Sequence, residues 1–520
     1  MNPWLAHSAR RHPGRTALYV DDRQREISYG RLADEVGRRA AVISDVTGDT
    51  DRPVVALLAP NSEEWLKLAH AVLWLGGTLV PLNPKLSPQD WTGQIASTRP
   101  DLVIHDGSLD GRIEHTETRR VDDLAAGAEE VITAAPPVPL EDDAVATIFF
   151  TSGTTGQPKA VPLTYGNHAS SAMASAYNLG VLPKDRWLAP LPLFHVGGLA
   201  IALRCAIYGS AIDMMTEFDP DRAAERLSRD SVTLASFVPT MLRRIFDSPR
   251  FDGAPDLRAA LLGGGPTDAS LADRCRTHGF PALQTWGMTE TSSQLATHTP
   301  GDETFEPGQV GPPLHHAEIT ILDDQGRDMG AGCYGEIAVR GPSVFEGYIP
   351  LGDETDRNDA NQHLGPLDRS AFTEDGWFRT GDVGLLTAGG QLVVDTRKSA
   401  RIVTGGENVD PVEVESVLRR HPRVLDACVV GLDDSEWGQR VGASVEWEAD
   451  DGAATEPSED ASDTQSTWRQ QLEAHCRERL AGFKCPRIWH RTDSLPKTGS
   501  HKIDRRAVRH LVASHGTETP

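Results

Sequence analysis

The run Thr151-Ser152-Gly153-Thr154-Thr155-Gly156-Gln157-Pro158-Lys159 follows an apolar stretch at 146–150, read as a strand. Hydroxyl and glycine positions in succession can wrap N–H and O–H donors around a polyphosphate, with Lys159 adding charge. The spacing is not that of a Walker A loop, and on composition alone a surface turn fits the run equally well. Further along, Gly263-Gly264-Gly265-Pro266 follows the apolar run Ala259–Leu262, the place where an open α/β sheet presents a ligand crevice. Gln284-Thr285-Trp286-Gly287-Met288-Thr289-Glu290 then offers an aromatic face for stacking, a hydroxyl, and a carboxylate suited to a magnesium-bound phosphate. Asp382, in Thr380-Gly381-Asp382, could accept both hydroxyls of a ribose, and Arg397 could grip phosphate or ribose. Gly405-Gly406-Glu407-Asn408 and Lys502 come last.

In this order and at these intervals the motifs resemble the adenylate-forming superfamily of acyl-CoA synthetases, luciferases and peptide-synthetase adenylation domains, over nearly the whole chain. The resemblance implies ATP, CoA and Mg2+ as cofactors. It places the triphosphate on residues 151–159 and the adenine at Gly263, Gly264, Gly265, Gln284, Thr285 and Trp286. It sets Thr289 at the α-phosphate, Glu290 on magnesium, Asp382 on the ribose and Arg397 just before a hinge at Ser399. Lys502 would contact the carboxylate and α-phosphate during adenylation, and Gly405, Gly406 and Glu407 would line a pantetheine tunnel. The sequence departs from the family pattern at several points: Trp286 replaces tyrosine, Thr396 a glycine, Ala400 an aspartate and His501 a glycine. The implied chemistry has two halves. Attack of a carboxylate on the ATP α-phosphate creates an acyl adenylate with AMP as a good leaving group, and a thiol then takes the acyl group.

Within the superfamily, several segments resemble the o-succinylbenzoate CoA ligases of menaquinone biosynthesis. They include Leu82-Asn83-Pro84-Lys85-Leu86-Ser87, Asp185-Arg186-Trp187 and Leu191-Pro192-Leu193-Phe194-His195-Val196-Gly197-Gly198-Leu199. That subfamily carries a cation on the helix after the histidine, here Arg204, to pair with the carboxylate that does not react. The resemblance likewise puts His195, Gly197, Gly287 and Ser292 at the acyl pocket. By residue type alone His195 is more often a core histidine, Arg204 could serve a structural acid such as Asp213, and Ser292 suits a helix N-terminus. Rival readings are a ligase for another aryl or fatty acid, a free-standing enzyme loading a carrier protein, and a non-catalytic nucleotide-binding scaffold. Intact Lys159, Glu290, Asp382, Arg397 and Lys502 argue against the last.

These residues need a frame. From residue 31 to 82 the pattern reads helix, strand (Val54–Leu58), helix (Glu63–Trp74) and strand (Thr78–Leu82), which predicts a doubly wound α/β layer. A second alternation at 187–284, with strands at 232–237 and Ala259–Leu262, predicts another. Short β-rich runs at 308–394 predict a small barrel or sheet. The rest predicts a mobile α+β domain with helices at 411–420 and 467–480, a strand at 425–430, and a solvated acidic loop at 446–467. The domains are thus expected at 1–398 and 399–520.

A chain of 520 residues needs more than one core. Its 75 Asp and Glu against 51 Lys and Arg leave a net charge of −24, which excludes non-specific binding to nucleic acid or anionic membrane. Lysine stands at only eight positions, so arginine supplies nearly all the positive charge. This predicts a halophilic surface. Screening would relieve repulsion among the carboxylates, so the melting temperature should fall on dilution from molar to low salt; a melting temperature indifferent to salt would refute it. Six cysteines without a CxxC pair, no signal-like start and no long apolar run predict a reduced cytoplasmic protein without zinc.

Overall fold

The structure is a computed structural model that describes residues 1–520 except 21–24, 49, 87, 110–116, 153–157, 266, 303–305, 307, 351–365, 398–401, 405–406, 435–436, 449–460, 481, 499–502 and 519–520. The α/β expectation holds. Val54–Leu58, Thr78–Leu82 and Leu102–His105 lie parallel in a six-stranded sheet. They are almost wholly apolar because helices cover both faces of such a sheet. The helix Glu63–Trp74 forms where Ser62 caps it, the serine hydroxyl accepting from the Trp65 amide, with Glu63 and Glu64 favouring its positive end.

A second sheet has eight strands, five of its neighbouring pairs being parallel. It contains Leu234–Phe237 and Ala259–Leu262 from the second predicted alternation. It also takes in the N-terminal hairpin Thr16–Val20 and Arg25–Ser28, with Leu18 opposite Ile212 and Tyr19 opposite Asp213. The first strands of the chain therefore belong to the later layer. A third sheet of five antiparallel strands occupies the predicted β-rich region, including Glu318–Leu322, Tyr334–Arg340, Phe378–Leu386 and Leu392–Arg397.

The C-terminal part has its own core around Trp447, Trp468, Leu472 and Trp489. The segment at 446–467 is not one acidic loop: a strand Gly438–Trp447 runs into it and a helix Ala461–Arg477 begins inside it. That helix starts with Ala-Ser-Asp-Thr-Gln-Ser-Thr, polar residues that resemble a solvated loop until Trp468 and Leu472 reach the core. The strand at 425–430 likewise extends over Val424–Asp434, held by its long antiparallel ladder. Among the described residues no helix is long and apolar enough to cross a membrane.

Candidate active site

The two described ends of the phosphate-loop run lie on strands paired with each other. Val145–Ser152 pairs antiparallel with Pro158–Thr164, Thr151 opposite Lys159. Gly153, Thr154, Thr155 and Gly156 lie outside the described residues, as does the Ser152 side chain. The Lys159 ammonium lies 4.4 Å from the centre of the Tyr348 ring, and the Tyr348 hydroxyl donates to Glu290 Oε1 at 2.8 Å. One tyrosine thus joins the loop lysine to the carboxylate expected at magnesium. Its segment is fixed to the hairpin by the Ile349 amide, which donates to the Ala160 carbonyl, and to the Glu290 segment by the Phe345 amide donating to the Glu290 carbonyl. Thr289 and Glu290 form a single 3-10 turn at the end of the strand Ala282–Met288. Glu290, buried between this turn and Tyr348, is a hard oxygen donor of the kind that suits Mg2+ with phosphate.

The same strand carries Trp286, whose indole N–H donates to Asp382 Oδ2 at 2.8 Å. Asp382 follows Gly381, which sits at φ 73°, and its strand neighbour across the ladder is Arg397. The Arg397 side chain is outside the described residues. Gln284 is buried and donates to the Glu306 carbonyl, while the Thr285 hydroxyl bonds Ala296 and Thr297. A Cβ at Gly263 would stand 2.8 Å from the Thr285 methyl and 3.1 Å from its carbonyl oxygen, and Gly264 turns with φ 77°. Gly264 and Gly265 are exposed at the end of their strand. Gly287 is a packing requirement before anything else: a Cβ would lie 1.7 Å from the Ser293 carbonyl oxygen. That clash follows from the bulge between Trp286 and Gly287, where the hairpin with Ser293–Thr297 folds tightly back.

Arg204 and Ser292 are brought together through a residue the sequence reading missed. Arg204 Nη2 donates to Ser171 Oγ at 3.1 Å, and Ser171 Oγ donates to the Ser292 carbonyl at 2.8 Å. Ser292 itself is wholly buried, left-handed at φ 54°, and gives its hydroxyl to the Ser343 carbonyl. Arg204 is 3% exposed, and its Nε has no hydrogen-bond partner. Among the described residues no acid forms an ion pair with it. Asp213, offered as a structural alternative, is instead held by Arg186 and Arg226. Burial pulls down the Arg204 pKa, and burial together with the Arg204 charge pushes that of His168 down to about 3, so this histidine is neutral and Arg204 is the local cation.

His195 is the N-cap residue of the helix Val196–Tyr208 that carries Arg204, its ring tilted against Phe194 at 4.8 Å. The loop before it is pinned by Asn61, which accepts from the Leu193 amide and donates to the Leu191 carbonyl. Gly197 has room for a side chain; it is Gly198, with a Cβ position 2.1 Å from the Pro192 carbonyl oxygen, that the turn demands. Ser399, Gly405, Gly406, Lys502 and the Glu407 side chain lie outside the described residues. Tyr348 and Ser171 escaped the sequence reading because each acts on a partner far along the chain. The only signal for Tyr348 was an aromatic in the short β-rich region.

Two α/β layers and a hairpin lysine joined through Tyr348 to a buried carboxylate are the frame of a nucleotide-binding enzyme of the adenylate-forming type, as the motifs implied. Residues 5–349 match the AMP-binding enzyme family and residues 413–502 the AMP-binding enzyme C-terminal domain, and the chain belongs to this family. It is 38% identical over 517 residues to the 2-succinylbenzoate–CoA ligase of Geobacillus kaustophilus (strain HTA426), covering 98% of both chains. Two solved structures of o-succinylbenzoate CoA synthetase from Bacillus subtilis each superpose with a TM-score of 0.79. One, in complex with the acyl-adenylate intermediate OSB-AMP, is 33% identical over 98% of both chains. The other, with ATP and magnesium ion, is 34% identical over 97% of this chain and 99% of that one.

Proposed function

We propose that this chain is an ATP-dependent acid–thiol ligase that adenylates 2-succinylbenzoate and passes the acyl group to CoA. The products are o-succinylbenzoyl-CoA, AMP and pyrophosphate, in menaquinone biosynthesis. The observation that carries the choice of acid is Arg204, a buried guanidinium with an unpartnered Nε and no acid in an ion pair among the described residues. A buried cation costs free energy unless an anion meets it, and a dicarboxylate brings one. A monocarboxylic apolar acid would leave that cost unmet.

In this reading residues 1–398 form the adenylating domain and 399–520 the mobile domain that delivers Lys502 and then the CoA tunnel at Gly405, Gly406 and Glu407. Thr151, Ser152, Gly153, Thr154, Thr155, Gly156 and Lys159 take the β- and γ-phosphates. Gly263, Gly264, Gly265, Gln284, Thr285 and Trp286 take adenine, while Asp382 and Arg397 take the ribose and its phosphate. Thr289 donates to the α-phosphate, and Glu290 holds Mg2+, which when bound neutralises charge developing on the phosphate oxygens. His195, Gly197, Gly287 and Ser292 shape the acyl pocket. Tyr348 keeps Glu290 and Lys159 in register, so the metal and the phosphate loop meet the same nucleotide. The scarcity of lysine and the six cysteines, none of them in a disulfide, support work in a reducing, salt-rich cytoplasm.

The test is a panel of acids in high-salt buffer with ATP, magnesium and CoA, read as AMP release. 2-Succinylbenzoate should exceed benzoate, coumarate and a medium-chain fatty acid by at least about a hundredfold in kcat/KM, since an unmet buried cation costs about that much. Preference for a monocarboxylate keeps the adenylating mechanism and removes the role given to Arg204.

A further inference from the structure

The bond between Trp286 and Asp382 spans 96 residues and two sheets, and it is made by the one ring in the pocket that departs from the family's tyrosine. Both residues are 8% exposed, so the pair is shielded from water. An indole N–H only donates, and it meets a carboxylate oxygen at 2.8 Å, the length of a charge-assisted bond. From the other side the carboxylate's backbone is fixed as well: the Asp382 amide donates to Thr380 Oγ1, whose own proton goes to the Ile337 carbonyl. Accepting two vicinal hydroxyls requires the plane of a carboxylate to be set before the sugar arrives. A benzene ring at position 286 has no N–H to donate, so it would remove this bond and with it one restraint on rotation of that plane about χ2.

We propose that Trp286 is a positioning residue for the ribose: its indole N–H locks the carboxylate of Asp382 and thereby sets the enzyme's discrimination between ATP and deoxy-ATP. The inference rests on the reading of Asp382 as the ribose ligand. It gives the Trp286 edge a task separate from any stacking by its face.

The experiment compares KM and kcat for ATP, 2′-deoxy-ATP and 3′-deoxy-ATP in the wild type, Trp286→Phe, Asp382→Asn and the double variant, on the full chain. Trp286→Phe should raise KM for ATP about tenfold, the worth of one bond to a charged group. The rise should fall on KM more than on kcat. KM for the deoxy nucleotides should move much less, so the preference for ATP collapses. In the Asp382→Asn background the same substitution should add little. An equal rise for all three nucleotides, or additive effects in the double variant, overturns the proposal by making Trp286 a packing or stacking residue only. If Asp382→Asn leaves the ATP preference intact, the ribose reading itself fails; if it abolishes the preference while Trp286→Phe retains it, only the role of Trp286 fails. Should Trp286→Phe not fold, Trp286→Leu serves as the second variant, since it too lacks a side-chain donor.

Discussion

Arg204→Met should lower kcat/KM for 2-succinylbenzoate by about a hundredfold to a thousandfold while leaving the melting temperature unchanged or raised. The opposite signs follow from one fact. In the free protein the guanidinium is buried, holds Ser171 through Nη2, and keeps an Nε without a partner. Its desolvation is not offset there by an acid among the described residues, and an apolar side chain of similar length removes that cost. In the proposed reading the same charge meets the substrate carboxylate that does not react, so its loss would leave that carboxylate buried and unpaired. Steady-state kinetics and a thermal melt on the same sample check both signs. A fall in melting temperature with unchanged kinetics would make Arg204 a structural residue. Arg204→Lys is not a conservative control, because a point ammonium cannot reach Ser171 and an anion in the same forked geometry.

Lys502→Ala should reduce adenylate formation by at least about a thousandfold, in line with removal of a charge that stabilises a phosphoryl transition state. Thiolation of supplied o-succinylbenzoyl adenylate by CoA should stay within a few-fold of wild type. The reason lies in when charge develops. Attack on the α-phosphate builds negative charge on phosphate oxygens and expels pyrophosphate, whereas thiol attack on the mixed anhydride expels AMP without needing the same cation. The two half-reactions are measured separately, by pyrophosphate release without CoA and by consumption of added adenylate with CoA. Equal loss in both would show that Lys502 serves the fold or the second step as well.

Much of the frame was legible because its physics is local. Val54–Leu58 and Thr78–Leu82 are apolar runs of strand length, and Ser62 with Glu63 and Glu64 marks a helix start on its own. The strand Pro158–Thr164 was not legible, since it opens on proline and lysine and exists because Val145–Ser152 offers it an edge. The same holds for the site. Residue types and order identified Lys159, Glu290, Trp286, Asp382 and Arg204 as candidates. Their couplings through Tyr348 and Ser171, and the bond from Trp286 to Asp382, depend on chain crossings that no local pattern encodes. Glycines divide the same way. Gly198 and Gly287 are each required by a carbonyl oxygen close to where a Cβ would stand, a backbone demand that no local pattern displays.

The N-terminal hairpin carries a consequence for how the molecule is made. Thr16–Val20 finds its parallel neighbour only in Ala211–Met214. A ribosome adding about 5–20 residues per second needs about 10–40 seconds to deliver that neighbour. During this interval the nascent chain holds a strand whose outer edge has no mate, while the six-stranded layer, whose strands all lie within residues 54–164, is able to assemble first. Vectorial synthesis therefore delivers the hairpin that carries Lys159 well before the strand and turn that carry Trp286 and Glu290.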